Sequence, residues 1–161
     1  MPDQTDDLQL RGLLRDEALR RFKAQIDGWG LRMPPAEPLV MAFGQGDFQS
    51  VGLIECWIAN EVEAGYCGKY LFVFYSQTCP EHSHDDKHET FFVVKGKVTL
   101  NLNGQPRQMY EGDVLVMPPG QKHSFTGVGN ALLLEISTPC DVNDNQFTNT
   151  AIDAWLKKAV G

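Results

Sequence analysis

"TFFVVKGKVTLNLNGQPRQMYEGDVLVMPPGQKHSFTGV", residues 90–128, decides the fold. Short apolar runs, "TFFVVK", "KVTLNL", "DVLVM" and "HSFTGV", are separated by turn residues and show no helical period. Asn103-Gly104 lies between two polar-flanked runs; both central positions of a type I′ hairpin need positive φ, which these two residue types tolerate. Working outward, "PLVMAF", "VGLIECWI" and "KYLFVFY" precede this stretch and "ALLLEIS" follows it, each with the same texture. At least seven such strands in about 100 residues predict an antiparallel sandwich or small barrel.

Helical signals flank this β region. In "DDLQLRGLLRDEALRRFKAQIDGWG", Leu10, Leu14, Ala18, Phe22 and Ile26 recur every four residues and predict one apolar stripe. Asp6 and Asp7 suit its start and Gly28 its stop, and the prolines of "MPPAEP" break the chain afterwards. "TAIDAWLKKAV" reads as a short terminal helix with Ile152, Trp155 and Leu156 on one side. The expected organisation is therefore a single domain over 1–161. It comprises an N-terminal helix and Pro-rich linker (1–38), a β-barrel (39–148) and a C-terminal helix (149–161).

Composition narrows the function. A formal charge of -7 argues against nucleic acid as a partner, because phosphate contacts need a basic face. "MPDQTDDLQL" lacks the apolar core of a signal peptide, and no apolar run approaches the roughly 20 residues of a membrane helix. Cys56, Cys67, Cys79 and Cys140 form no CxxC pair, so they are read as reduced thiols in a cytoplasmic protein.

"QTCPEHSHDDKHETFFVVKG", residues 77–96, holds three of the four histidines. Side chains alternate along a strand, so His82 and His84, two apart, point the same way and can grip one ion. Glu89 follows a polar turn and can supply a carboxylate; His123, after a Pro-Pro-Gly turn, is the one histidine outside the cluster. His88 is placed on the turn as a non-ligand. Three imidazoles and a carboxylate suit a divalent first-row metal: Mn, Fe, Co, Ni or Zn. Four protein ligands on a six-coordinate ion leave positions for substrate, in the manner of a catalytic site.

These residues resemble the two cupin motifs, His82-x-His84-x4-Glu89-x6-Gly96 and Gly112-x5-Pro118-x-Gly120-x2-His123. Ser76 stands where the first motif usually opens with glycine, and Gly127 where the second usually closes with asparagine. The order of "QTCPEHSH", "KHETF", "KGKVTLNLNG", "MPPGQKHSF" and "LEIST" is similar to that of the cupin-type D-lyxose isomerases. That resemblance implies a mainly β cupin (jelly-roll, double-stranded β-barrel) fold and an aldose–ketose isomerase acting on D-lyxose or a D-mannose-like aldose. It also implies a divalent metal, usually Mn2+, and a homodimer. Lys69, Asp141, Asp144 and Phe147 fall loosely in the family's sugar-pocket region.

An enediol route needs a base that moves a proton between C2 and C1 and an electrophile for the developing oxyanion. Glu135 is the expected base: it lies in the apolar run "ALLLEIS", where an unpaired charge is costly, and it matches the acid that the family resemblance implies is catalytic. Its bland alternative is an edge-strand glutamate facing water. Lys87 is the second expected catalytic group, to bond a sugar oxygen or move a proton to it; a lysine in "DDKH" reads equally as a solvated charge. Two other functions use the same ligands: an Fe(II)-dependent cupin dioxygenase and a non-catalytic sugar-binding cupin.

Overall fold

Alternating apolar residues can bury one face of a strand only against a second layer, and this chain builds two. The computed structural model describes residues 9–160. In chain order the elements are helix α1 (Gly12–Gly28) and strands β1 (Leu39–Met41), β2 (Leu53–Glu61), β3 (Tyr66–Val73), β4 (Thr78–Ser83), β5 (Glu89–Lys95) and β6 (Lys97–Leu102). Strands β7 (Gln105–Tyr110), β8 (Val114–Met117), β9 (His123–Gly127), β10 (Ala131–Ser137) and β11 (Gln146–Phe147) follow, then helix α2 (Thr150–Val160). One sheet runs β1-β2-β3-β10-β5-β8 and the other β11-β4-β9-β6-β7, with every ladder antiparallel.

The sheets face each other as a jelly roll and do not close into one continuous barrel ladder. They meet at isolated bridges, Val51 to Thr78 and Tyr75 to Gly127. From β3 onward the chain keeps crossing between sheets, and tight corners make this possible. Gly96 turns β5 into β6 at φ 77, where a Cβ would lie 2.3 Å from the Asn130 carbonyl oxygen. At Gly127 a Cβ would meet the Phe74 carbonyl oxygen at 2.5 Å, which explains why the position carries no side chain. Asn103 and Gly104 both have positive φ and join β6 to β7 with Leu102 opposite Gln105, the expected hairpin.

Ser76 makes the β3–β4 corner at φ 61, a conformation that costs a side-chain-bearing residue about 1–2 kcal/mol. Its N–H is donated to the Gly127 carbonyl, so the turn is fixed from outside. Ser76→Gly is expected to stabilise the protein by about 0.5–1 kcal/mol, read as a higher urea midpoint at unchanged slope.

Between the sheets lies one core, including Leu71, Val93, Leu100, Phe125 and Leu133, which α2 closes with Ile152 and Leu156. A second core lies under α1, on the outer face of the larger sheet. There Phe22 meets Phe72 edge-on at 5.0 Å, and Ile26 packs with Ile54, Cys56 and Leu132. The expected stripe on α1 needs correction. Ala18, Leu19, Phe22 and Ile26 are buried, whereas Leu14 is exposed. At 3.6 residues per turn a strict spacing of four drifts about 40° per step, so Leu14 has rotated off the face that Ile26 buries. The helix also starts later than the expected Asp6 and Asp7, which lie outside the described residues: Gln9 bridges Met41, Leu10 precedes the helix, and α1 begins at Gly12 after an extended Arg11.

Candidate active site and metal centre

Register brings the polar residues together. His82 lies directly opposite His123 on β9, and Phe147 of β11 lies on the other side of His82. On the facing sheet, Trp57, Lys69, Glu135 and Phe91 stand abreast on β2, β3, β10 and β5. Except for His123, which lies behind His82, the two rows line a cavity of about 590 Å³ between the sheets. Polar groups project into it because the strands alternate, so the predicted parity of Glu135 with Leu133 and Ser137 is the parity of the interior face.

His84 sits one residue past β4, where the chain corners toward Glu89, yet its ring still meets those of His82 and His123 at 4.9 and 5.6 Å. Each imidazole is oriented by a backbone carbonyl. His82 Nδ1 bonds the Pro80 oxygen at 2.8 Å, His84 Nδ1 that of Asp144 at 2.8 Å, and His123 Nδ1 that of Gln121 at 3.0 Å. A carbonyl can only accept, so all three Nδ1 atoms carry hydrogen and each neutral ring presents a bare Nε2 lone pair. Burial, helped by the charges His123 and His84 would carry, pushes the His82 pKa well below its ordinary value and favours that neutral form.

The lone pairs converge. One ring nitrogen each from His82, His84 and His123 falls within a 4.8 Å group, and Glu89 Oε2 lies 3.1 Å from His84 Nε2 and 3.0 Å from His123 Nε2. His84 Nε2, His123 Nε2 and Glu89 Oε2 are buried, and none has a hydrogen-bond partner. With Nδ1 protonated, lone pair faces lone pair across these gaps, an arrangement that a cation relieves. Two donors each about 2.1 Å from one ion and at right angles stand about 3 Å apart, so the spacing fits a first-row divalent metal. Burial raises the Glu89 pKa, and the Lys87 ammonium, 3.4 Å from Oε1, opposes it. His88 is exposed, in keeping with its reading as a non-ligand.

Lys87 is buried, so its reading as a solvated charge does not hold. Its Nζ lies 2.9 Å from Glu135 Oε2 and 3.4 Å from Glu89 Oε1. Burial and Lys69 push its pKa down, but Glu135 and Glu89 pull it further up, leaving a buried ammonium. Glu135 is 2 % exposed on β10, a central strand, which removes the edge-strand alternative. It also accepts from Ser137 Oγ at 3.1 Å. Lys69, likewise buried, pairs with Glu55 at 3.2 Å and stands over the Trp57 ring at 4.6 Å.

Two contributions were weakly legible in sequence. Asp144, placed only loosely in a sugar pocket, holds the corner from His84 to Lys87. Its carboxylate accepts the backbone N–H of Asp85 at 2.7 Å, Asp86 at 3.2 Å and Lys87 at 3.0 Å, while its carbonyl orients His84. Asp144→Ala is expected to weaken metal binding about 10–100-fold, measured by titration against a competing chelator. The other is the β2 wall, Glu55, Trp57 and Asn60, which lines the cavity; same-parity Glu55 and Trp57 in "LIECWI" were the available signal.

Comparison with known proteins places this geometry. Residues 75–137, spanning His82 to Glu135, match the family model for a cupin domain. The chain is 29% identical to the D-lyxose ketol-isomerase of Cohnella laeviribosi, covering 89% of this chain and 95% of that protein. It is also 29% identical to a D-lyxose/D-mannose isomerase of Thermosediminibacter oceani, over 70% of this chain and 77% of the relative. Among solved structures, the chain resembles L-ribose isomerase from Geodermatophilus obscurus with a TM-score of 0.76 at 16% identity. That match covers 91% of this chain and 96% of that one. The Cellulomonas parahominis L-ribose isomerase with L-ribose gives a TM-score of 0.72 at 16% identity, covering 88% and 93%. At such identity these structures speak to fold alone.

Proposed function

We propose that this cupin is a metal-dependent aldose–ketose isomerase acting on D-lyxose or a similar aldose such as D-mannose. The observation that carries the reading is the juxtaposition of two buried sets across one cavity. One is the lone-pair cluster of His82, His84, Glu89 and His123; the other is the Glu135–Lys87 pair, 2.9 Å apart. Similarity along most of the chain to a D-lyxose ketol-isomerase supports it.

In this mechanism Glu135 takes the C2 proton of the bound sugar and returns it to C1. Lys87, held as an ammonium between two carboxylates, donates a proton to the C1 carbonyl oxygen, which keeps it as a hydroxyl, and is reprotonated by the C2 hydroxyl as the C2 ketone forms. A divalent ion, with manganese favoured over Zn, Fe, Co or Ni, would polarise neighbouring sugar oxygens and steady the oxyanion. Lys69, Glu55 and Trp57 line the far wall, where hydroxyl groups and an apolar sugar face find partners. A screen of D-lyxose, D-mannose and related aldoses against protein loaded with each metal should show ketose forming, fastest with Mn2+. No turnover of any aldose under any metal would remove the proposal.

The dioxygenase alternative has a narrower base. A Bacillus subtilis quercetin 2,3-dioxygenase is 39% identical, but over 46 residues that make up 14% of that protein. It gives no role to the Glu135–Lys87 pair, and oxygen uptake separates the two readings.

The proposed unit is one domain, cytoplasmic, and homodimeric. The apolar stripe α1 leaves uncovered supports pairing: Val116, Ile136 and Ile58 lie along one row of the larger sheet's outer face, with Phe92 and Val114 beside them, all exposed. Val116→Lys is expected to shift light scattering from dimer to monomer. A monomeric parent would overturn the dimer.

A further inference from the structure

The mechanism leaves two thiols beside Glu135 unused. Cys67 of β3 and Cys140, in the loop after β10, are 73 residues apart in sequence, yet their sulfurs lie 3.2 Å from each other. Cys140 Sγ is also 3.6 Å from Glu135 Oε2, and Ser137 Oγ lies 4.0 Å from the same sulfur. One ligand atom each from Cys67, Cys140 and Glu135 falls within 4.8 Å of the others. This is a built site rather than a chance approach. Cys67 faces Ser137 in the β3–β10 ladder, and the Cys140 backbone is clamped on both sides by one side chain: its N–H donates to Asn60 Oδ1 at 3.0 Å and its carbonyl accepts from Asn60 Nδ2 at 3.1 Å. Cys140, Asn60 and Glu135 also line the cavity, so an ion can enter from there.

We propose that Cys67, Cys140 and Glu135 form a second cation site, specific for a thiophilic divalent ion of the zinc or cadmium kind and distinct from the histidine site. Two thiolates and one carboxylate match the softness of such ions, whereas manganese prefers oxygen and imidazole donors. Sulfurs each about 2.3 Å from a tetrahedral zinc stand about 3.8 Å apart, so binding asks a shift of about 0.6 Å. Binding releases the thiol protons to solvent, one for each thiol not already ionised, and the carboxylate and both sulfurs donate lone pairs without any change of oxidation state. The nearby Lys69 and Lys87 offset the surplus negative charge of the ligand set.

The other cysteines differ in kind. Burial pushes Cys56 up to about 12 and Cys79 up as well, so both stay protonated and inert. At Cys67 the bond with Cys140 outweighs burial and brings the thiol down to about 7, so the pair yields a thiolate near neutrality. On the isomerase reading, an ion here also draws Glu135 away from Lys87 and blocks proton transfer, so the second site is inhibitory; that consequence, unlike the binding itself, rests on the proposed function.

The test is titration of reduced, Mn2+-loaded full-length protein with Cd2+, following the sulfur-to-cadmium charge-transfer absorption. One equivalent should develop the band, Cys67→Ser and Cys140→Ser should each abolish it, and Cys79→Ser should keep it. Loss of the band with Cys140→Ala, checked for native circular dichroism, guards against a folding defect in the serine variants. No band in the parent, or a band indifferent to Cys67 and Cys140, overturns the site. The same titration read by activity separates the two claims: binding without inhibition would leave the site standing and count against Glu135 as the base.

Discussion

Glu135→Gln is expected to lower kcat about 10³-fold while KM and metal content stay close to those of the parent. Glutamine keeps the shape of the side chain and an oxygen that can accept from Lys87 Nζ, now 2.9 Å away, and from Ser137 Oγ. What it removes is the lone pair that takes a proton. Lys87 retains Glu89 Oε1 at 3.4 Å, so the ammonium is not left alone in the interior. The fold should therefore survive, because the severe cost of breaking a buried pair falls on variants that strand a charge. Exchange of the C2 hydrogen with solvent deuterium, followed by NMR, should stop together with turnover. A variant within about ten-fold of the parent would assign the proton transfer to another group.

Removing the metal is expected to lower the melting temperature by about 10 °C. The rings of His84 and His123 aim lone pairs at Glu89 from 3.1 and 3.0 Å, and these buried atoms are otherwise unpartnered. An ion present at about 1,000 times its Kd adds about 4 kcal/mol, and in a chain of this size each kcal/mol moves the midpoint by about 2–4 °C. His123→Ala removes one ligand from the shared cluster, so its melting temperature should no longer respond to chelator. Thermal unfolding of parent and variant, with and without EDTA, checks both statements. A metal-loaded parent whose melting temperature EDTA leaves unchanged would mean that the convergent lone pairs hold no ion.

The local chemistry of this site was legible early because it is written in short spacings. His82-x-His84, Glu89 and the Asn103-Gly104 turn depend on strand parity and on φ preferences, which neighbouring residues set. The runs "KVTLNL" and "ALLLEIS" coincide with β6 and β10 for the same reason. Strand β7, "QPRQMY", was missed because its exposed face carries no alternation; it forms as the return arm of the hairpin. Lys87 could not be assigned from "DDKH", since burial of a lysine there depends on two carboxylates 2 and 48 residues downstream.

The sequence alone determined that this chain alternates as strands, turns at specific Gly, Asn and Pro positions, and carries a metal-type ligand set, all properties fixed by backbone sterics and side-chain chemistry. Only the tertiary structure decided that Asp144 braces the corner from His84 to Lys87, that Lys69 joins Glu55, and that Cys67 meets Cys140 beside Glu135. Those contacts bridge up to 73 residues and exist because strand order in the two sheets, which no local preference encodes, brings distant segments to one cavity wall.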